Sequence, residues 1–211
     1  MQHAKQAVMT MAALITTGAL TLAGCGDSGS GSMPGVNHGD AAATSATSTT
    51  SRADEHNDAD VAFASQMILH HQVALQMASM AGYQATTPAV KKLATVIQAV
   101  HDAEMKQMSG WLTSWGQPVP SPSHGGSGTH DIPGMMTEDD LGDLGATEGA
   151  VFDRTWTKMM ITHHRGAVTM AKSEQADGKN TAAIALAKKT EAAQTAEIAT
   201  MQRLLGQLPA N

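Results

Sequence analysis

The sequence has 211 residues, a formal charge of −6, and 42% hydrophobic residues with only 3% aromatics. That length suits one domain with appendages, and the negative balance argues against nucleic acid or an anionic lipid surface as a partner. A single cysteine excludes an internal disulfide and a four-cysteine zinc site.

Residues 1–24 read as a signal peptide: Lys5 precedes an apolar run from about Ala7 to Ala23 that closes on small residues. The junction Leu22-Ala23-Gly24-Cys25 resembles the lipobox of bacterial lipoproteins. It predicts export, cleavage before Cys25, lipidation of its sulfur and anchoring to the outer face of the cell membrane. Residues 25–57 then read as a flexible Gly/Ser/Thr tether, too polar to bury a core.

Four helices are expected within a bundle domain spanning 58–206, followed by a tail, 207–211. The first is capped by Asp58 or Asp60 and stops at Gly82. The second starts at Thr87-Pro88 and ends near Trp115, before Gly116. A Pro- and Gly-rich connection, 116–147, is expected to cross the end of the bundle and lie outside it. The third helix runs from about Glu148 to Ala176, and the fourth from Asn180 or Thr181 to about Leu205. No segment has the strict alternation of a half-buried strand.

The chain also repeats itself at an offset of 93. FASQMILHHQVALQMA (63–78) aligns with WTKMMITHHRGAVTMA (156–171), pairing Met67/Met160, His70/His163, His71/His164 and Met77/Met170. The same offset pairs Leu93/Leu186, Glu104/Glu197, Met108/Met201 and Leu112/Leu205. One offset serving both helices of each half indicates a duplicated hairpin, 58–115 and 148–205. Two such hairpins packed face to face give an all-α four-helix bundle.

Apolar spacing predicts which faces turn inward. The first helix gives Phe63, Met67, His70, Ala74, Met77 and Ala81, and the third repeats this as Trp156, Met160, His163, Ala167 and Met170. The second brings His101, Glu104 and Met108 into the stripe; the fourth brings Gln194, Glu197 and Met201. Each helix therefore carries a polar layer near its middle, with methionines about a turn away. On this spacing His70 and His163 face the glutamates, and His71 and His164, turned about 100°, lie on the flank. Burying two carboxylates is costly unless they are paired or bind a cation. Two explanations stand: a hydrogen-bonded His/Glu layer that fixes packing in a non-metal interaction module, or a metal site. Thioethers with imidazoles favour a soft ion, Cu(I) before Mg, Ca or Mn. Methionines at such spacing also serve simply as core.

MILHHQVALQMA, HDAEMKQMSGWL, IPGMM and FDRTWTKMMITHHRGAVTMA together resemble the bacterial family catalogued as domain of unknown function 305. The resemblance implies a ferritin-like bundle, export and an association with copper. Carried over by position, its metal-handling candidates are Met67, His70, His71, Met77, Met160, His163, His164 and Met170. His101 stands where the family tends to have glutamine, which adds a potential ligand in the first half. In the connection, His124, His130, Met135 and Met136 offer an auxiliary capture site. The expected role is metal binding, sequestration or relay to an envelope metal-handling partner, without catalysis. A ferritin-like di-metal oxidase is the remaining alternative; such sites use four carboxylates and two E-x-x-H pairs, and here the order is reversed, H-x-x-E.

Overall fold

The structure, a computed structural model, describes residues 55–121 and 131–209. It is all helical among the described residues: α1 (Asp58–Gln84), α2 (Pro88–Ser114), α3 (Glu138–Gly145), α4 (Gly149–Asp177) and α5 (Thr181–Gln207). Cys25 lies outside the described residues. None of these helices is long and apolar enough to cross a membrane.

Local chemistry sets the helix ends. Asn57, rather than the expected Asp58 or Asp60, is the cap: it accepts the N–H groups of Ala59 and Asp60, while the Asp60 carboxylate accepts the Asn57 N–H in a capping box. Pro88 opens α2 at a position where a missing N–H costs nothing. Asn180 caps α5 through the N–H groups of Ala182 and Ala183.

α1 and α4 form the central pair, each packed against its hairpin partner, α2 or α5. The pair is antiparallel and is tied at both ends by a buried aspartate. Asp60, near the start of α1, accepts the N–H groups of Lys179 and Asn180 in the α4–α5 turn. Asp153, near the start of α4, accepts N–H and O–H groups from Thr86 and Thr87 in the α1–α2 turn. These residues correspond at the 93-residue offset, so each hairpin closes the turn of the other.

Contrary to the expectation for 116–147, the connection does not lie wholly outside the bundle: Leu141 and Leu144 of α3 are buried in the core, and so is Ile132. Thr137 and Asp140 form a capping box that starts α3 in a sequence otherwise poor in helix formers. The segment 132–135 presses its backbone onto α4, where Gly166 replaces Val73 of the first repeat. A Cβ on Gly166 would collide with the carbonyl of Pro133, and Gly134 takes φ +72° with its Cα almost against Gly166.

Candidate metal centre

The predicted polar layer exists. His70, His71, His163 and His164 are fully buried, and His101, Glu104 and Gln194 nearly so. It separates two apolar clusters. Met67, Met108 and Met170 belong to one, and Met77, Met160 and Met201 to the other. All six methionines expected on the stripes are therefore buried on either side of the histidines.

The pairing inside the layer differs from the expected one. It is His71 whose Nε2 lies 3.1 Å from Glu104 Oε2, and His164 whose Nε2 lies 2.8 Å from Glu197 Oε2. The supposed flank histidines thus hold the carboxylates, within their own hairpins, and His70 and His163 do not. A rotation of α1 and α4 smaller than the 100° between neighbours brings both members of each HH pair inward. This is possible because small residues (Ala74, Ala78, Ala167, Ala171) leave room between the helices.

His70 and His163 instead stack face to face across α1 and α4, ring centroids 3.6 Å apart. Both nitrogens of His163 face backbone carbonyls: Nδ1 that of Gly134 at 2.9 Å and Nε2 that of His70 at 3.0 Å. Two carbonyls invite a doubly protonated ring, whereas burial pushes its pKa down to about 3. With no exposure to water and four other imidazoles in the same layer, burial prevails. The neutral ring then donates to one carbonyl at a time, and its unprotonated nitrogen is turned toward the other.

The remaining rings are better placed. His101 stacks on His71 at 3.9 Å and lies 6.0 Å from His164. Ligand atoms from His71, His101 and Glu104 all fall within 4.8 Å of one another. Burial, reinforced by neighbouring imidazoles, holds His70 and His101 far below the usual range. Burial also lowers His71, although Glu104 pulls the other way. Neutral rings keep a lone pair, the form a metal requires. Among the described residues, Nδ1 of His71 and His164, both nitrogens of His70 and His101, and both amide atoms of Gln194 are buried without a hydrogen-bond partner. A purely structural network would satisfy such groups.

Of the auxiliary candidates, Met135 and Met136 are half-buried, each against a different core cluster, whereas His124 and His130 lie outside the described residues. Sequence reasoning missed Lys189, whose ammonium reaches Glu104 Oε1 at 3.6 Å. It also missed Gly134 and Gly166, which seat the connection over His163. The Val73/Gly166 mismatch in the repeat was the available signal.

The family model described as a domain of unknown function (DUF305) matches residues 60–205. The chain belongs to the DUF305 family. Among solved structures it is similar to a DUF305 protein from Streptomyces coelicolor described as secreted, at 30% identity and TM-score 0.64, covering 74% of this chain and 94% of that one. A DUF305 fragment from Deinococcus radiodurans is 30% identical with TM-score 0.65, covering 72% and 98%. CopM in its Cu(II)-bound form is 32% identical with TM-score 0.61, covering 70% and 96%, and CopM has also been solved with Cu(I) and with Ag. No curated protein matched.

Proposed function

We propose that this DUF305 chain is an exported, lipid-anchored copper-binding protein that holds or relays the ion at the cell envelope. One observation carries the reading: two neutral imidazoles and a carboxylate, His71, His101 and Glu104, converge within 4.8 Å in a closed core and leave lone pairs unused. A surface hollow of about 390 Å³, lined by α1, α2 and by Val119 and Pro120 after them, includes none of these residues.

The charge of the site favours a monovalent ion. Two neutral rings and one carboxylate carry −1, so Cu(I) leaves the buried centre neutral, whereas a divalent ion leaves a net positive charge away from water. Imidazole and thioether ligands suit copper, and the methionines lie on both sides of the layer. The similarity to CopM, solved with copper and silver, and the likeness to a protein described as secreted support the same assignment. Cys25 would carry the lipid; changing it to Ala should release the chain from membranes or block signal cleavage.

The existing His71–Glu104 and His164–Glu197 pairs also support a second reading, a layer that only fixes packing. An anaerobic Cu(I) titration of the chain bearing Cys25→Ser, in competition with a chromophoric chelator, separates the two. Binding of Cu(I) that collapses in His101→Ala supports the copper site. Absence of binding, or binding indifferent to His101→Ala and Glu104→Gln, leaves the structural layer.

A further inference from the structure

The duplication supplies an internal comparison for the layer. His71 and Glu104 correspond to His164 and Glu197, but two positions have diverged: His101 corresponds to Gln194, and Lys189 corresponds to Val96. Both changes enrich the same centre. The first half has the extra imidazole, and its glutamate has an ammonium over it. Glu104 spends Oε2 on His71 and offers Oε1 to Lys189, 3.6 Å away. Its side chain is 5% exposed, against 67% for Lys189. Glu197, which lacks a lysine at the corresponding position, is 20% exposed.

Lys189 stands on α5 and Glu104 on α2, two helices that barely touch. The seam between these helices is the one that leads to the three-donor cluster, and the long side chain of Lys189 spans it. An ammonium there has a plain electrostatic consequence. It neutralises the buried carboxylate while no other cation is present, and it competes with any cation arriving for the same oxygen.

Resting on the copper reading above, we propose that Lys189 is a displaceable counter-ion guarding the way in to the His71–His101–Glu104 centre. A soft monovalent metal ion reaches the cluster between α2 and α5, takes the Glu104 carboxylate, and releases the lysine to solvent. One unit positive charge replaces another at the carboxylate, so the centre is neutral before and after. A divalent ion would leave the centre with a net positive charge.

Silver(I), which is redox-inert, is the probe, used on the full chain bearing Cys25→Ser. Lys189 is exposed and the first repeat carries valine at its equivalent, Val96, so Lys189→Val should fold normally. Removing a partly screened charge should tighten Ag(I) binding about three- to tenfold, with Lys189→Arg close to wild type and the difference shrinking at high salt. Mass-spectrometric amine acetylation gives a second readout: Lys189 should react several-fold faster in silver-loaded protein than in metal-free protein, with exposed Lys188 unchanged. If His101→Ala abolishes Ag(I) binding while Lys189→Val leaves the affinity unchanged and silver leaves the acetylation of Lys189 in the parent chain unchanged, the guard is refuted and the site survives. Ag(I) binding that is indifferent to His101→Ala overturns the site and the guard together.

Discussion

Replacing His71 with alanine strands Glu104 in a nearly closed core, because Lys189 is its other partner and comes from the surface. Losing a hydrogen bond to a charged group should cost the metal-free protein roughly 2–3 kcal/mol, readable in urea unfolding. The flank position assigned by helical spacing would have made this substitution nearly silent. Glu174 behaves differently. It is 1% exposed, its oxygens meet no donor from the protein, and the carboxylate beside it is Asp60. Desolvation, together with Asp60, raises its pKa to about 8, so the two share a proton that Glu174 supplies. Asp60 is desolvated too, but the hydrogen bond from Glu174 and the backbone N–H groups of Asn57, Asn180 and Lys179 hold it below the ordinary value. The folded chain keeps the Glu174 proton where the unfolded chain has lost it. Its stabilisation is therefore full below 4.5, the ordinary value, and disappears as pH rises through about 8. Melting temperature should fall from about pH 5 to about pH 9, and Glu174→Gln should flatten that decline. An unchanged slope in the variant would refute the shared proton.

At the scale of elements, the long helices were legible because apolar residues recur at steps of 3 and 4 and because Pro88, Gly178 and Asn180 mark their ends. The buried stripes came from the same periodicity, Met67 and Met160 to His70 and His163. Which histidine meets which glutamate was not legible. That choice depends on the rotation of whole helices, which small residues permit and spacing cannot fix. α3 was hidden for a compositional reason: EDDLGDLG has two apolar residues and two glycines, and its helix rests on a capping box and on burial of Leu141 and Leu144. The connection's grip on α4 is testable. Gly166→Ala places a methyl against the Pro133 carbonyl and must push the 132–135 segment away, taking the Gly134 carbonyl from His163. Overpacking of this kind costs about 1–3 kcal/mol. The imidazole signals of His163 should shift in NMR, and Val73→Ala, at the equivalent place in the first repeat, should leave them in position.

For the whole molecule, the two aspartate braces count for more than their number suggests. Asp153→Ala removes the acceptor from four N–H and O–H contacts of Thr86 and Thr87 at once. It should lower stability by several times the roughly 1 kcal/mol of one ordinary hydrogen bond, measured by thermal unfolding, with Asp153→Asn keeping part of it. The braces also say something about how such a chain came to exist. Neither hairpin can finish its own turn: the α1–α2 turn awaits an acid from α4, and the α4–α5 turn awaits one from α1. A lone hairpin would have to borrow that acid from a twin. Asp153 of one copy sits where Asp60 would be for the Lys179–Asn180 turn of another, so residues 147–209 made as a separate peptide should associate in pairs, and a monomeric sedimentation profile would contradict this. Two hairpins joined in one polypeptide then achieve what two copies of a single hairpin would achieve as a pair, while each half keeps its own sequence.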